Sequence, residues 1–196
     1  MTKEKTVIAI KPDGIQRGLI GEIISRFERA GMKMVAAKLL CPTKVQVEKH
    51  YVYGDWLYNT GKKTIESYEK KGMKITGKPE EIGKKTLNKL INYLVDRPVF
   101  FMVWQGPGVV EIARKIIGHT SPQMADIGSV RGDYGLESYA MADGLDRALY
   151  NMIHASGTPE EAEHEMTVWF KPAELLNYDL FLEELVHNKN WGKIKK

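Results

Sequence analysis

The residues whose types could do chemistry gather late in the chain, around a histidine that closes an apolar run. His154 follows the apolar residues 149–153, and Ser156 comes two positions later. Glu165 lies on a predicted helix eleven residues beyond the histidine, close enough to fold back onto it. A neutral imidazole attacks through one ring nitrogen when a partner on the other nitrogen fixes its tautomer. These residues therefore allow a nucleophilic His154 held by Glu165, with Ser156 orienting the carboxylate; a structural histidine at a strand end is the alternative.

Three cations lie where regular elements end or turns begin. Lys11 follows the first apolar strand, Arg114 lies late in an amphipathic helix, and Arg131 lies in a turn-rich stretch. The fork of a guanidinium group matches the oxygens of a phosphate, so this set suits a phosphate-bearing ligand. Solvated or ion-paired surface charge is the alternative for each of them, because sequence spacing does not show that they converge.

The common nucleotide and metal loops do not occur in this sequence. A Walker A loop needs four residues between its glycines, whereas Gly77 and Gly83 are separated by five, and Lys84 is followed by another lysine. Neither a G-x-G-x-x-G loop nor an H-E-x-x-H motif is present. The tripeptide at 131–133 matches an adhesion motif, but three residues match by chance too often to indicate that function.

Several blocks of sequence carry a resemblance to a known family, in the order in which that family has them. The blocks are Lys-Pro-Asp-Gly-Ile-Gln-Arg-Gly-Leu-Ile-Gly-Glu-Ile at 11–23, His50-Tyr51, Gly-His-Thr-Ser-Pro at 118–122, Ser-Val-Arg-Gly-Asp at 129–133, Asn-Met-Ile-His-Ala-Ser at 151–156, and 161–174. The chain resembles nucleoside diphosphate kinase over about 5–60, 94–133 and 149–178. We expect one domain over 1–196, with insertions at about 57–93 and 135–147 that resemble those of a longer, archaeal-type form.

The resemblance implies a ping-pong phosphotransfer. His154 takes the γ-phosphate of a nucleoside triphosphate as phosphohistidine and passes it to a nucleoside diphosphate, while Glu165 and Ser156 orient the imidazole. The implied phosphate-binding residues are Lys11, Tyr51, Arg114, Thr120 and Arg131, and Lys11 and Asn151 also meet the ribose hydroxyls. Positioning and charge stabilisation of this kind are what phosphoryl transfer requires.

The same resemblance implies a cofactor, a mode of base recognition and an assembly. Mg²⁺ is the expected cofactor, carried mainly by the nucleotide phosphates and without ligands from the protein. The base is expected to stack on an aromatic ring, for which Trp56 and Tyr58 are the candidates, so nucleotide specificity is broad. The expected assembly is a homo-oligomer, either a hexamer or a tetramer.

The elements that must position these groups follow from apolar periodicity. Strands are predicted at 6–10, 32–40, 99–104 and 149–153, and helices at about 19–27, 47–53 and 109–117. Thr158 caps a last helix that starts at Pro159, and Glu161 completes a capping box. The order predicts an α+β fold, a ferredoxin-like βαββαβ sandwich with an antiparallel sheet covered by helices on one face. The glycine-containing stretch 54–94 gives no clear prediction.

Composition excludes several classes of protein. The 196 residues are 43% hydrophobic and 28% charged, which is typical of a globular domain. A single cysteine, Cys41, excludes an internal disulfide framework and favours a reducing compartment. No apolar run approaches the length of a membrane span and no signal-peptide pattern is present, so we expect a cytoplasmic protein without membrane contact.

The net charge of +4 is unevenly distributed. Residues 62–90 hold nine lysines and four glutamates, and 187–196 add four lysines, which leaves 16 basic and 21 acidic side chains elsewhere. The excess lysines therefore lie in segments that the family motifs do not use. A basic nucleic-acid-binding protein on a ferredoxin-like sheet is the alternative function, but the sequence lacks its aromatic RNP signature. A secondary nucleic-acid contact through the lysine-rich insertion stays open.

Overall fold

The framework of the structure, a computed structural model that describes residues 3–70 and 72–181, is a four-stranded antiparallel sheet. Its strands are β1 (Glu4–Ile10), β2 (Lys33–Leu40), β3 (Val99–Gly106) and β4 (Ile153–Ala155), in the order β2-β3-β1-β4. The helices are α1 (Pro12–Gln16), α2 (Ile20–Arg29), α3 (Lys44–Tyr51), α4 (Trp56–Lys70), α5 (Pro79–Leu94), α6 (Val109–Ile117), α7 (Val130–Tyr134), α8 (Tyr139–Gly144) and α9 (Pro159–Trp169). This confirms the predicted α+β, ferredoxin-like arrangement.

Helices cover both faces of the sheet, so the expectation of one covered face is wrong. In β1, Val7 and Ala9 pack into one apolar cluster with α3, α5 and α9, whereas Ile8 and Ile10 pack into another with α2 and α6. A strand that is buried on both faces has no polar side for the sequence to display. The continuous apolar run of β1 is the sequence signal of this two-sided burial.

The last strand is shorter than predicted and starts later, at Ile153 instead of about 149. Met152 adopts a left-handed backbone conformation with a φ of 50°. Because this conformation is not extended, the strand cannot include Met152 and begins at Ile153. The register with β1 then pairs Ile10 with Ile153 and Ala9 with His154. The histidine is therefore a member of the strand, and its backbone position is set by its pairing with β1.

The start of α9 follows the prediction with one difference. The Thr158 hydroxyl accepts a hydrogen bond from the backbone N–H of Glu161 at 3.2 Å, as an N-cap should. The Glu161 carboxylate, however, accepts from the N–H of Gly157 at 2.8 Å, one residue earlier than in a capping box. It thereby holds the turn that joins β4 to α9.

The undecided stretch 54–94 forms a hairpin of the two helices α4 and α5. A Cβ atom on Gly61 would lie 1.7 Å from the carbonyl oxygen of Pro79, and one on Gly83 would lie 2.0 Å from that of Leu57. The two helices therefore cross at their glycines, with backbone against backbone. Helix α5 buries most of its apolar side chains, whereas Gly61 is the buried residue of α4. Because one of the two helices has no buried apolar face, apolar periodicity is weak over the stretch as a whole.

Two further expectations concern membrane-spanning helices and the lysines near the end of the sequence. No helix within 3–70 and 72–181 is both long and apolar enough to span a membrane. The lysines of 187–196 lie outside the described part of the chain.

Replacing either crossing glycine should loosen the hairpin. We expect Gly61→Ala or Gly83→Ala to lower the free energy of unfolding by about 1–3 kcal/mol, because a methyl group has no room between the helix backbones. Urea denaturation followed by circular dichroism measures the effect. The control is Gly21→Ala in α2, where nothing lies within 4 Å of the added Cβ and the backbone is helical. Equal stability of all three variants would contradict the close crossing.

Candidate active site

A histidine and a carboxylate form the centre of the site. Nε2 of His154 lies 2.9 and 3.0 Å from the two carboxylate oxygens of Glu165, which is 4% exposed. The hydroxyl of Ser156 donates to the same carboxylate at 2.7 Å. A carboxylate accepts, so the proton of the neutral imidazole is assigned to Nε2. That assignment leaves the lone pair of Nδ1 free to attack.

The backbone of β1 orients the serine. The N–H of Val7 donates to the Ser156 hydroxyl oxygen at 3.1 Å, and the Ser156 N–H donates to the carbonyl of Val7 at 3.1 Å. The one hydroxyl proton goes to Glu165 at 2.7 Å, since the carbonyl oxygen of Val7, the alternative acceptor, is farther away at 3.4 Å. The sheet register thus determines how the carboxylate is held.

Burial and neighbouring cations keep the imidazole neutral. Burial lowers the pKa of His154 well below its usual value, and the charges of Lys11 and Arg131 lower it further. Burial raises the pKa of Glu165, while His50 and the hydrogen bond from Ser156 oppose that shift. A buried imidazole beside two cations is a free nucleophile at neutral pH.

Lys11 directly follows β1 and joins a chain of polar groups in the same site. Its ammonium donates to the Asn151 side-chain oxygen at 2.7 Å, and the Asn151 amide donates to the carbonyl of Thr120 at 2.9 Å. Burial lowers the pKa of Lys11 to about 7, helped by the charge of Arg131. A lysine tuned this close to neutrality responds to the arrival of an anion.

Arg131 holds the backbone around the histidine strand. Its guanidinium donates to the carbonyls of Asn151 at 3.2 Å, Gly118 at 2.9 Å and Ile153 at 2.6 Å. Burial, followed by the charge of Arg114, lowers its pKa to about 10, so it stays charged at neutral pH. A guanidinium has five N–H donors, and three such contacts leave two for a ligand.

Eight of the nine predicted site residues line one cleft of about 1000 Å³. They are Lys11, Tyr51, Arg114, Thr120, Arg131, Asn151, His154 and Glu165. Ser156, fully buried, lies behind Glu165 and is not part of the cleft wall. Of the two aromatic candidates for base stacking, Trp56 lines the cleft and its ring lies 5.4 Å from that of Tyr51, whereas Tyr58 is absent from the lining.

The lysine-rich insertion also contributes to this cleft. Lys63, Lys85 and Lys89 of α4 and α5 line it, and Lys89 pairs with Asp146 at 2.8 Å. These three lysines lie outside the family motifs, as expected, and yet contribute to the same cleft. The hairpin folds its lysines over the motif residues, which sequence spacing could not show.

Three residues that hold the site in place are not among those predicted from the sequence. Asp13 accepts the N–H of Met152 at 3.0 Å and a hydrogen bond from the hydroxyl of Tyr93. His50 packs edge-to-face on the His154 ring, with 4.6 Å between ring centroids. Asp13 and His50 stand within the quoted sequence blocks and could have been singled out there. No sequence pattern indicates Tyr93, since its hydrogen-bond partner Asp13 is 80 residues away in the chain.

Among the described residues one group of three has metal-ligand atoms close together: His50, His154 and Glu165, all within 4.8 Å. Glu165 already bonds to His154 and Ser156, and Nδ1 of His50 accepts the indole N–H of Trp169. Mg²⁺ prefers oxygen ligands, which two imidazoles do not supply. The donor set therefore does not fit a resident Mg²⁺, whereas the lysine and arginines of the cleft suit the phosphates of a nucleotide that brings its own ion.

A ferredoxin-like sheet that presents a carboxylate-backed histidine to a cleft lined by a lysine and two arginines has the groups expected of a phosphotransferase with a histidine nucleophile. The comparisons with known proteins agree. A family model described as nucleoside diphosphate kinase matches residues 4–55 and 78–175. The chain belongs to the nucleoside diphosphate kinase family.

Relatives and solved structures are similar over nearly the whole chain. A nucleoside diphosphate kinase of Pyrobaculum aerophilum is 41% identical over 182 residues, covering 90% of this chain and all of the relative. Nucleoside diphosphate kinase 3 of Spinacia oleracea is 38% identical over 187 residues, covering 95% of this chain and 98% of the relative.

Among solved structures, an NDP kinase from Pyrobaculum aerophilum gives a TM-score of 0.86 at 38% identity, covering 90% of this chain and all of that one. A transition-state mimic of the Borrelia burgdorferi enzyme with bound vanadate and ADP gives 0.80 at 36% identity, covering 93% and 96%.

The tautomer of the histidine can be measured directly. At about pH 7 the ¹H–¹⁵N spectrum of His154 should show a protonated Nε2 and an unprotonated Nδ1, and this pattern should persist to pH 5.5 because burial keeps the pKa low. Glu165→Gln is the control, since an amide both donates and accepts and so weakens the preference for one tautomer. A His154 ring that titrates at about pH 6.5, the ordinary pKa of histidine, would contradict the assignment of a neutral, Nε2-protonated ring.

Proposed function

We propose that Nδ1 of His154 is the atom that carries the phosphoryl group in the nucleoside diphosphate kinase reaction of this protein. The observation that carries the proposal is the contact of Nε2 with both oxygens of Glu165, which leaves Nδ1 as the free nitrogen. The family's reaction is a ping-pong transfer through phosphohistidine, from a nucleoside triphosphate to a nucleoside diphosphate. The residue roles that follow are derived from this assignment.

The reaction needs no proton transfer at the histidine. The Nδ1 lone pair attacks the γ-phosphorus, an N–P bond forms, and the bond to the β-phosphate oxygen breaks with its electron pair leaving on the diphosphate. The imidazole then carries a positive charge, which the carboxylate of Glu165 balances through Nε2–H. In the second half the terminal oxygen of another diphosphate attacks the phosphorus and the histidine is restored.

The cleft cations take the phosphates in this proposal. Lys11, Arg114 and Arg131 neutralise the charge that builds on the transferred group, with hydrogen bonds from Tyr51 and Thr120. Their common position along one cleft supports these roles. Asn151, already bonded to Lys11, takes the ribose hydroxyls together with it. Mg²⁺ carried by the nucleotide would supply further charge neutralisation beside these residues.

Base recognition and assembly complete the proposal. Trp56, on the cleft wall beside Tyr51, is the better candidate for the stacking ring, and stacking tolerates every base. We propose a single domain, 1–196, with additions at about 57–93 and 135–147. We further propose a homo-oligomer, a hexamer or tetramer, that works on nucleotides in the cytoplasm.

Phosphorylation of the histidine is the direct test of the proposed function. With [γ-³²P]ATP and Mg²⁺ we expect acid-labile, alkali-stable label on the protein, which is chased off by a nucleoside diphosphate. His154→Ala should reduce both label and transfer to background, because the substitution removes the attacking Nδ1. Circular dichroism and ADP binding of the variant show that the fold and cleft survive. Full transfer activity in His154→Ala would overturn the assignment.

Binding of a nucleotide should draw a proton onto Lys11. Since the pKa of free Lys11 is about 7 and a phosphate favours the charged form, ADP binding at pH 8 should take up a proton. Affinity should therefore fall up to about tenfold between pH 7.5 and 8.5. Calorimetry in buffers of different ionisation enthalpy measures the uptake.

Lys11→Arg is the matched control, because a guanidinium stays charged throughout this range and should show neither the uptake nor the loss of affinity. Binding to the unaltered protein without proton uptake at pH 8 would mean that Lys11 is already charged in the free cleft.

A further inference from the structure

A second buried histidine touches the catalytic dyad and has no role in the reaction described above. His50, near the end of α3, is 6% exposed, and its ring stands edge-to-face against that of His154. Its Nδ1 lies 3.8 Å from an oxygen of Glu165. A protonated Nδ1 at that distance would compete with His154 for the same carboxylate.

The indole of Trp169 prevents that competition. Nε1–H of Trp169, the last residue of α9, donates to Nδ1 of His50 at 3.1 Å. An indole nitrogen is a donor only, so its partner on His50 must be an unprotonated nitrogen. A proton on Nδ1 would set two donors against each other in a buried site, which is costly.

We propose that Trp169 and His50 are positioning residues for phosphotransfer: the indole N–H keeps Nδ1 of His50 free of a proton, and the neutral His50 leaves the charge of Glu165 to His154. This inference rests on the proposed function, because it concerns how the dyad keeps its charge. Trp169 touches neither His154 nor the nucleotide phosphates in any contact described above, and it acts through His50.

The groups around His50 favour the same state. It is faced by Glu165 and His164 from α9, His154 from β4, Lys11 from the end of β1, and Tyr51 from its own helix. Burial, the strongest influence, lowers the pKa of His50, and only Glu165 favours the charged form. Without the indole N–H, Nδ1 would be free to take a proton and pair with Glu165.

The pH profile of Trp169→Phe tests the proposal. Phenylalanine keeps an aromatic ring against Phe101, whose ring stacks on that of Trp169 at 3.9 Å, and removes only the N–H donor and part of the ring. Single-turnover phosphorylation at saturating Mg-ATP, where the effect of Lys11 on affinity does not enter, should be close to that of the unaltered protein at pH 8. It should then fall by more than about threefold by pH 5.5, because Nδ1 of His50 is free to take a proton and Glu165 favours the charged form. The unaltered protein should change less than about threefold over that range.

Two variants separate this effect from a loss of packing. Trp169→Phe combined with His50→Gln removes the group that titrates, so the fall at low pH should disappear even though the core is altered twice. Trp104→Phe is the matched control, because Trp104 is equally buried and its indole N–H has no partner among the described residues. It should leave the shape of the pH profile unchanged.

The outcomes distinguish the two levels of inference. Absence of label on His154 in the unaltered protein would overturn the proposed function itself. Normal labelling with a Trp169→Phe profile that is flat, or reduced equally at every pH, would overturn only the role of the tryptophan. A double variant that keeps the fall at low pH would show that His50 is not the titrating group.

Discussion

The site depends on the short segment 151–153, whose backbone runs through a left-handed residue immediately before the catalytic strand. Met152 has a φ of 50° in a fully buried position, a conformation that a side chain adopts only when its surroundings enforce it. Its N–H donates to Asp13, its carbonyl accepts the N–H of Lys11, and Arg131 binds the carbonyls on either side. These bonds bring His154 into register with β1.

The same bonds tie the groups of the cleft to one another. Arg131 is both a clamp on the backbone and a cation of the cleft, so its charge is fixed in place before a phosphate arrives. Lys11 is bonded to Asn151 in the same way. Charges that are already oriented need no reorganisation when the reaction occurs, which is the main requirement for catalysis of phosphoryl transfer.

The hairpin of α4 and α5 and the segment around α8 are part of this arrangement. Tyr93 of α5 donates to Asp13, and its ring stacks on Tyr150 at 4.6 Å. The guanidinium carbon of Arg147, a residue that follows α8, lies 4.0 Å from the centroid of the Tyr150 ring. Both terminal nitrogens of Arg147 donate to the carboxylate of Glu137. The hairpin and the segment around α8 thus support the loop that carries Asn151 and Met152, besides lining the cleft.

The sequence by itself determined the elements with strong local signals, which are the continuous apolar runs of β1 and β3 and the helical periodicity of α6. It also supplied His154 and the order of the family motifs. Tertiary structure decided the two-sided burial of the sheet, the late start of β4, the crossing of α4 and α5, and the partners of Tyr93 and Trp169. These depend on sheet register and on contacts between distant segments: the indole of Trp169 meets His50 across 119 positions. No local pattern records such a contact.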